Sequence, residues 1–152
     1  MMPMIHALLF MLQVAATASH APVPCPVTPL ALPAPLAGWG ELSSAPNIGK
    51  RFTVAGHERL KGLTAAEAAR GGRAATLFIT VANPGSYTLA LGNAAWIDVA
   101  SGGSTLVSTG HGHGPACSGI RKMVTFDLLP GRYAMRLSGM KTATIEMAIL
   151  PN

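Results

Sequence analysis

In the second half of the chain, apolar residues recur at every second position. Tyr87, Leu89 and Leu91 point one way, with Thr88 and Ala90 opposite. Val124, Phe126 and Leu128 alternate with Thr125 and Asp127, and Tyr133, Met135 and Leu137 with Ala134, Arg136 and Ser138. Ile145, Met147 and Ile149 alternate with Thr144, Glu146 and Ala148. Successive side chains of a strand point to opposite faces, so this period means antiparallel strands with one buried face. Residues 75–81 and 95–99 are more continuously apolar and suit central strands, while 51–54 and 105–108 carry weaker strand signals. The 152 residues leave room for one domain with a real core. The expectation is an all-β antiparallel β-sandwich of about eight strands, jelly-roll-like in outline. One segment departs from this rhythm. Thr64-Ala65-Ala66-Glu67 matches a capping box, and the Ala-rich stretch ends at Gly71-Gly72, so 64–70 reads as a short helix or ordered loop.

A phrase occurs twice. Pro84-Gly85-Ser86-Tyr87 and Pro130-Gly131-Arg132-Tyr133 lie 46 residues apart, each after an apolar strand carrying a Phe, Phe78 or Phe126. Pro-Gly suits the centre of a type II turn. Each copy is therefore expected to be a hairpin with an inward Tyr, one hairpin in each sheet.

The first forty residues are different in kind. Residues 7–18 are apolar and uncharged, the length of a signal-peptide core and too short to cross a bilayer. Residues 1–18, which hold His6, read as a signal peptide, with cleavage alternatively after residue 21; the mature protein is then periplasmic or secreted. Residues 19–38 form a Pro-rich arm, and 39–152 the sandwich domain. Six of the twelve prolines fall in the arm, so it is expected to be extended, its Leu and Val packing along a sheet. The only two cysteines, Cys25 and Cys117, would pair in an oxidising compartment and pin the arm to the body. Closing that loop is worth at most about 4–5 kcal/mol. Free or metal-bound thiols are the alternative.

Only 11% of residues are charged, which excludes a charged tail, a coiled coil or a long solvated helix. The net charge of +5 comes from few, scattered basic residues, which argues against nucleic acid as a partner. No apolar run reaches 18 residues, so no membrane span is expected. Two of the five histidines fall in residues 110–122, a Gly-rich loop between strands. His111 and His113, at alternate positions, can chelate one ion from an extended backbone, and imidazole suits a divalent transition metal such as Zn, Cu, Ni or Fe. Cys117 is a third ligand if it is not bridged. In the other reading Ser118, Arg121 and Lys122 cradle a carboxylate or phosphate, of a small molecule or glycan. Asp98, beside Trp96, is either hydrogen-bonded at a sheet end or lines a site with the two histidines. Trp39 and Trp96 read as packing residues.

The runs 95–99, 111–123 and 130–133 resemble a group of short exported bacterial proteins, some of which carry the name homogentisate 1,2-dioxygenase. The strand and Pro-Gly-x-Tyr rhythm is also similar to pre-peptidase C-terminal domains, small β-sandwich accessory modules. The dioxygenase name implies a cupin that holds non-haem iron through two His and one Glu. Where a cupin motif places its Glu after His113, this chain has Cys117 and Ser118, and no His follows His113. The resemblance therefore assigns no catalytic residue. The leading expectation is an exported, non-catalytic binding or accessory protein. The alternative is a metal-binding protein or a small metal-dependent oxidoreductase at His111 and His113.

Overall fold

Period-two segments bury one face only if something covers it, and here each sheet covers the other. The computed structural model describes residues 21–152, so the signal-peptide expectation and His6 lie outside the described residues. Among the described residues nine strands form two sheets: β1 (Arg51–Ala55), β2 (Arg73–Val81), β3 (Gly85–Leu91), β4 (Trp96–Ser101), β5 (Ser104–Thr105), β6 (Gly110–Gly112), β7 (Lys122–Leu128), β8 (Gly131–Met140) and β9 (Thr144–Pro151). One sheet has the order β1-β9-β3-β7-β6 and the other β2-β8-β4-β5, and neighbouring strands are antiparallel. The protein is an all-β sandwich. Its core holds the expected alternating sets, Leu89 and Leu91, Phe126 and Leu128, Met135 and Leu137, Met147 and Ile149, together with Phe52 and Val99.

The Pro-Gly phrases are not hairpins. β2 pairs with β8, and β3 with β7. Each Pro-Gly step therefore carries the chain from one sheet to the other, and the two copies pair with each other. Gly85 and Gly131 open β3 and β8 as their first residues. The tyrosines fix the two corners in the same way. Tyr87 Oη donates to the Asn83 carbonyl at 2.8 Å, and Tyr133 Oη to that of Leu129 at 2.9 Å. Both rings are buried, so a hydroxyl that found no partner would be costly. Alternation reports which face a residue takes, but not which strand lies beside it, so hairpin and corner look alike in sequence.

The short helix forms as α1 (Ala65–Ala69) with its capping box complete: Glu67 N donates to Thr64 Oγ1, and Thr64 N to Glu67 Oε2. Burial raises the pKa of Glu67, but hydrogen bonds from the Thr64 amide and Arg136 outweigh it and hold the carboxyl below its usual range.

The arm is extended only in part. Residues Ala34–Gly40 wind into a 3-10 helix with Pro35 in its first turn, where the missing amide hydrogen is no loss. Leu36 and Trp39 of this helix pack with Ala90, Ala148, Leu150 and Ile120, and Leu32 lies against them. This cluster covers the outer face of β3 and β9. The small Ala90 and Ala148 leave room for it, and both strands are consequently buried on two sides. Gly38 sits so close to the Gly49 carbonyl that a β-carbon would collide with it. Val23, Val27 and Leu30, further back in the arm, stay exposed.

Candidate functional site

The Cys25–Cys117 bridge forms, with a Cα–Cα distance of 5.5 Å. At the residue next to Cys117, Trp39 Nε1 donates to the Ser118 carbonyl at 3.0 Å. Cys25 within the arm and Trp39 just after it are thus tied to the same short stretch of loop 110–122. That stretch turns tightly: Cys117 has a φ of 62°, and Gly114 passes where a β-carbon would collide with Ile120. Its polar groups are used locally. Ser118 Oγ accepts from Ile120 N at 3.1 Å, and Ser118 does not line the cleft described next. The expected cradle of Ser118, Arg121 and Lys122 is therefore split, its serine on the arm side.

Residues 111–113 and 121–122 of the loop face a cleft of about 540 Å³, where the start of β4, β6 and the start of β7 meet the end of α1 and the β8–β9 turn. Lys122 stands opposite Leu91 on the inward side of β7. Its stem runs along apolar surface and its Nζ reaches out to the Ala95 carbonyl at 2.9 Å, 5.1 Å from the Trp96 ring centre. Burial lowers the Lys122 pKa, the Arg70 charge lowers it further, and Asp98 partly restores it. Trp96 opens β4 on the outer face and is 50% exposed, so it is not the packing residue expected, whereas Trp39, at 3%, is. Arg70, the C-cap of α1, lies 4.4 Å from the Trp96 ring centre and donates to Asp98 Oδ2 at 3.1 Å and Ser138 Oγ at 2.9 Å. Trp96 Nε1 donates to Asp98 Oδ1 at 3.1 Å, so both oxygens of that carboxylate are occupied.

His111 lies on β6 opposite Val124, which turns it toward the interior at the sandwich edge. His113, two residues on, shares a hydrogen bond between its Nδ1 and the Arg121 carbonyl at 2.8 Å. Both line the cleft with Arg70, Arg121, Lys122 and Lys141, and no carboxylate lines it. Arg70 and Lys141 were invisible as site residues in the sequence, where they lie far from the loop. The topology brings them in from a helix end and a strand turn.

A second chamber of about 340 Å³ opens from the first. Trp96, His111 and Lys122 line both. Ile97 of one sheet and Val124 and Phe126 of the other wall the second chamber, with Leu106, Ser108 and Asp98. It therefore reaches between the sheets. Such volumes match those of small-molecule sites.

A non-haem iron set does not fit these residues. Cys117 is bridged, Asp98 is spent on Arg70 and Trp96, and the two imidazoles stand among four cations. Among the described residues no group of three or more His, Cys, Asp or Glu is placed to hold a metal ion. Comparison with family models, curated proteins and solved structures returns no match. No helix among the described residues is long and apolar enough to cross a membrane.

Proposed function

We propose that this is an exported, non-catalytic binding protein for a small organic anion, held at the Trp96 cleft. The observation that carries this is the charge of the lining: Arg70, Arg121, Lys122 and Lys141 converge with His111 and His113, and among the described residues only Arg70 of the four cations has a carboxylate partner, Asp98. One carboxylate against four cations leaves an excess of like charge, which an anion relieves. Trp96 adds a flat apolar surface beside the cations, suited to a ring or chain attached to the anionic group. The disulfide accords with an oxidising compartment.

Calorimetric titration with benzoate and inorganic phosphate tests the reading. Lys122→Met should weaken binding by about tenfold or more, the worth of one charge-assisted hydrogen bond. Because an anion favours charged Lys122, affinity should hold at neutral pH and fall as pH rises through the lowered Lys122 pKa, before the ordinary value of 10.5 is reached. An affinity that Lys122→Met leaves unchanged would refute the proposal.

A further inference from the structure

The first chamber explains a charge; the second explains a body attached to it. Resting on the anion reading, we infer that the ligand is amphipathic, a carboxylate whose apolar chain enters between the two sheets at their β4–β7 edge while its head stays among the cations.

This edge is finished unlike the rest of the sandwich. β5 has two residues and belongs to the four-stranded sheet, and β6 has three and belongs to the five-stranded sheet. The four residues between them cross from one sheet to the other. Leu106 N donates to the Val99 carbonyl at 2.7 Å, anchoring the crossing to one sheet, and Thr109 N to that of Thr125 at 2.8 Å, anchoring it to the other. Between these anchors Val107 is 87% exposed. Under the crossing the apolar walls are Ile97, Val124 and Phe126, core side chains of both sheets, met by Leu106; Ser108 and Asp98 also line the chamber, and the Asp98 carboxylate is held by Arg70 and Trp96. Lys122 and His111 mark the junction with the first chamber, since they belong to both linings. The interior offers apolar walls, and the mouth offers cations. A dissolved inorganic anion would use only the mouth. A neutral hydrocarbon would use only the interior and leave the cations uncompensated. A single chain ending in a carboxylate matches both, with its charge at the Lys122 junction. Two sheets enclose the chamber, so it takes one free chain and not a lipid surface.

The test is a calorimetric series of butanoate, hexanoate and octanoate against the full chain, with octyl phosphate as a second head group. Affinity should rise about fourfold per added methylene until the chamber is full. Leu106→Trp, which fills the chamber from the crossing, should flatten that rise, and the wild-type series stands without it should the variant fold poorly. If butanoate and octanoate bind equally, the inference falls while the anion reading stands. If neither they nor benzoate nor phosphate bind, the anion reading itself falls. Protein that ignores dissolved octanoate yet sediments with phosphatidylglycerol vesicles would also overturn the inference.

Discussion

The outer face of the five-stranded sheet presents Ala90, Ala148 and Leu150, and Leu36 and Trp39 of the 3-10 helix that ends the arm cover them. The outer face of the four-stranded sheet presents Phe78, Trp96, Arg132 and Arg136, and Phe78 and Trp96 are more than half or half exposed. Each face carries a tryptophan beside an arginine: Arg51 lies 5.4 Å from the Trp39 ring centre, and Arg70 lies 4.4 Å from that of Trp96. The same pair of residue types does different work. Trp39 turns its nitrogen to a loop carbonyl and its ring to the sheet, which seals the face. Trp96 turns its nitrogen to Asp98 and leaves its ring at a cleft. A covered aromatic contributes to folding, and an uncovered one in a cleft with an excess of cations is available to a ligand.

The sharpest way to break this comparison is to remove each indole. Trp39→Ala should cost about 3–5 kcal/mol, as truncation of a buried aromatic does. Trp96→Ala should cost only about 1 kcal/mol, mainly its contacts with Arg70 and Lys122. Binding of benzoate should show the reverse order. Urea unfolding and calorimetry on both variants measure the two effects, and equal destabilisation would erase the distinction between the faces.

The bridge offers the next largest effect. Cys25→Ser with Cys117→Ser should lower stability by about 2–4 kcal/mol, because the unfolded chain regains the freedom of a loop whose ends are 92 residues apart. Neither cysteine lines the cleft. Anion affinity should therefore stay within about threefold, as for sites that share no partners. Loss of binding along with the bridge would mean that arm and cleft act as one unit through loop 110–122.

How much of this was legible in the sequence differs between the two faces. Alternation identified the inward sets of β3, β7, β8 and β9, and the capping box identified α1, because both signals are local. The bridge followed from having two thiols alone. Strand partners were not legible: Pro84-Gly85 and Pro130-Gly131 are compatible with a hairpin and with a sheet-to-sheet corner. β6 was missed because glycines flank His111, which leaves no alternation to read. Of the cleft, the loop residues His111, His113, Arg121 and Lys122 were singled out. Arg70, Lys141 and the exposure of Trp96 were not, since they depend on which elements meet at one corner of the fold.

The smallest expected effect concerns how the open face holds its arginine. Arg70 follows directly on α1, and α1 is fastened through Glu67, whose Oε2 receives Arg136 at 2.7 Å and the Thr64 amide at 2.7 Å. The folded-state pKa of Glu67 lies below the ordinary 4.5. Its contribution to stability is therefore fully present above that value and is lost as pH falls through the folded pKa. Glu67→Gln should cost about 1.5 kcal/mol at neutral pH, the worth of a hydrogen bond to a charged group. It should also make the acid limb of the stability profile shallower, because one titrating group has gone. Benzenesulfonate, whose own charge does not titrate in this range, reports on the cleft. Its affinity should fall in the variant, because Arg70 is then less firmly placed over Trp96, while the arm side, with Trp39 and the bridge, should keep its thermal protection. A variant whose cleft is unaffected would show that Asp98 and Ser138 alone hold Arg70, and that the helix is ornament to the open face.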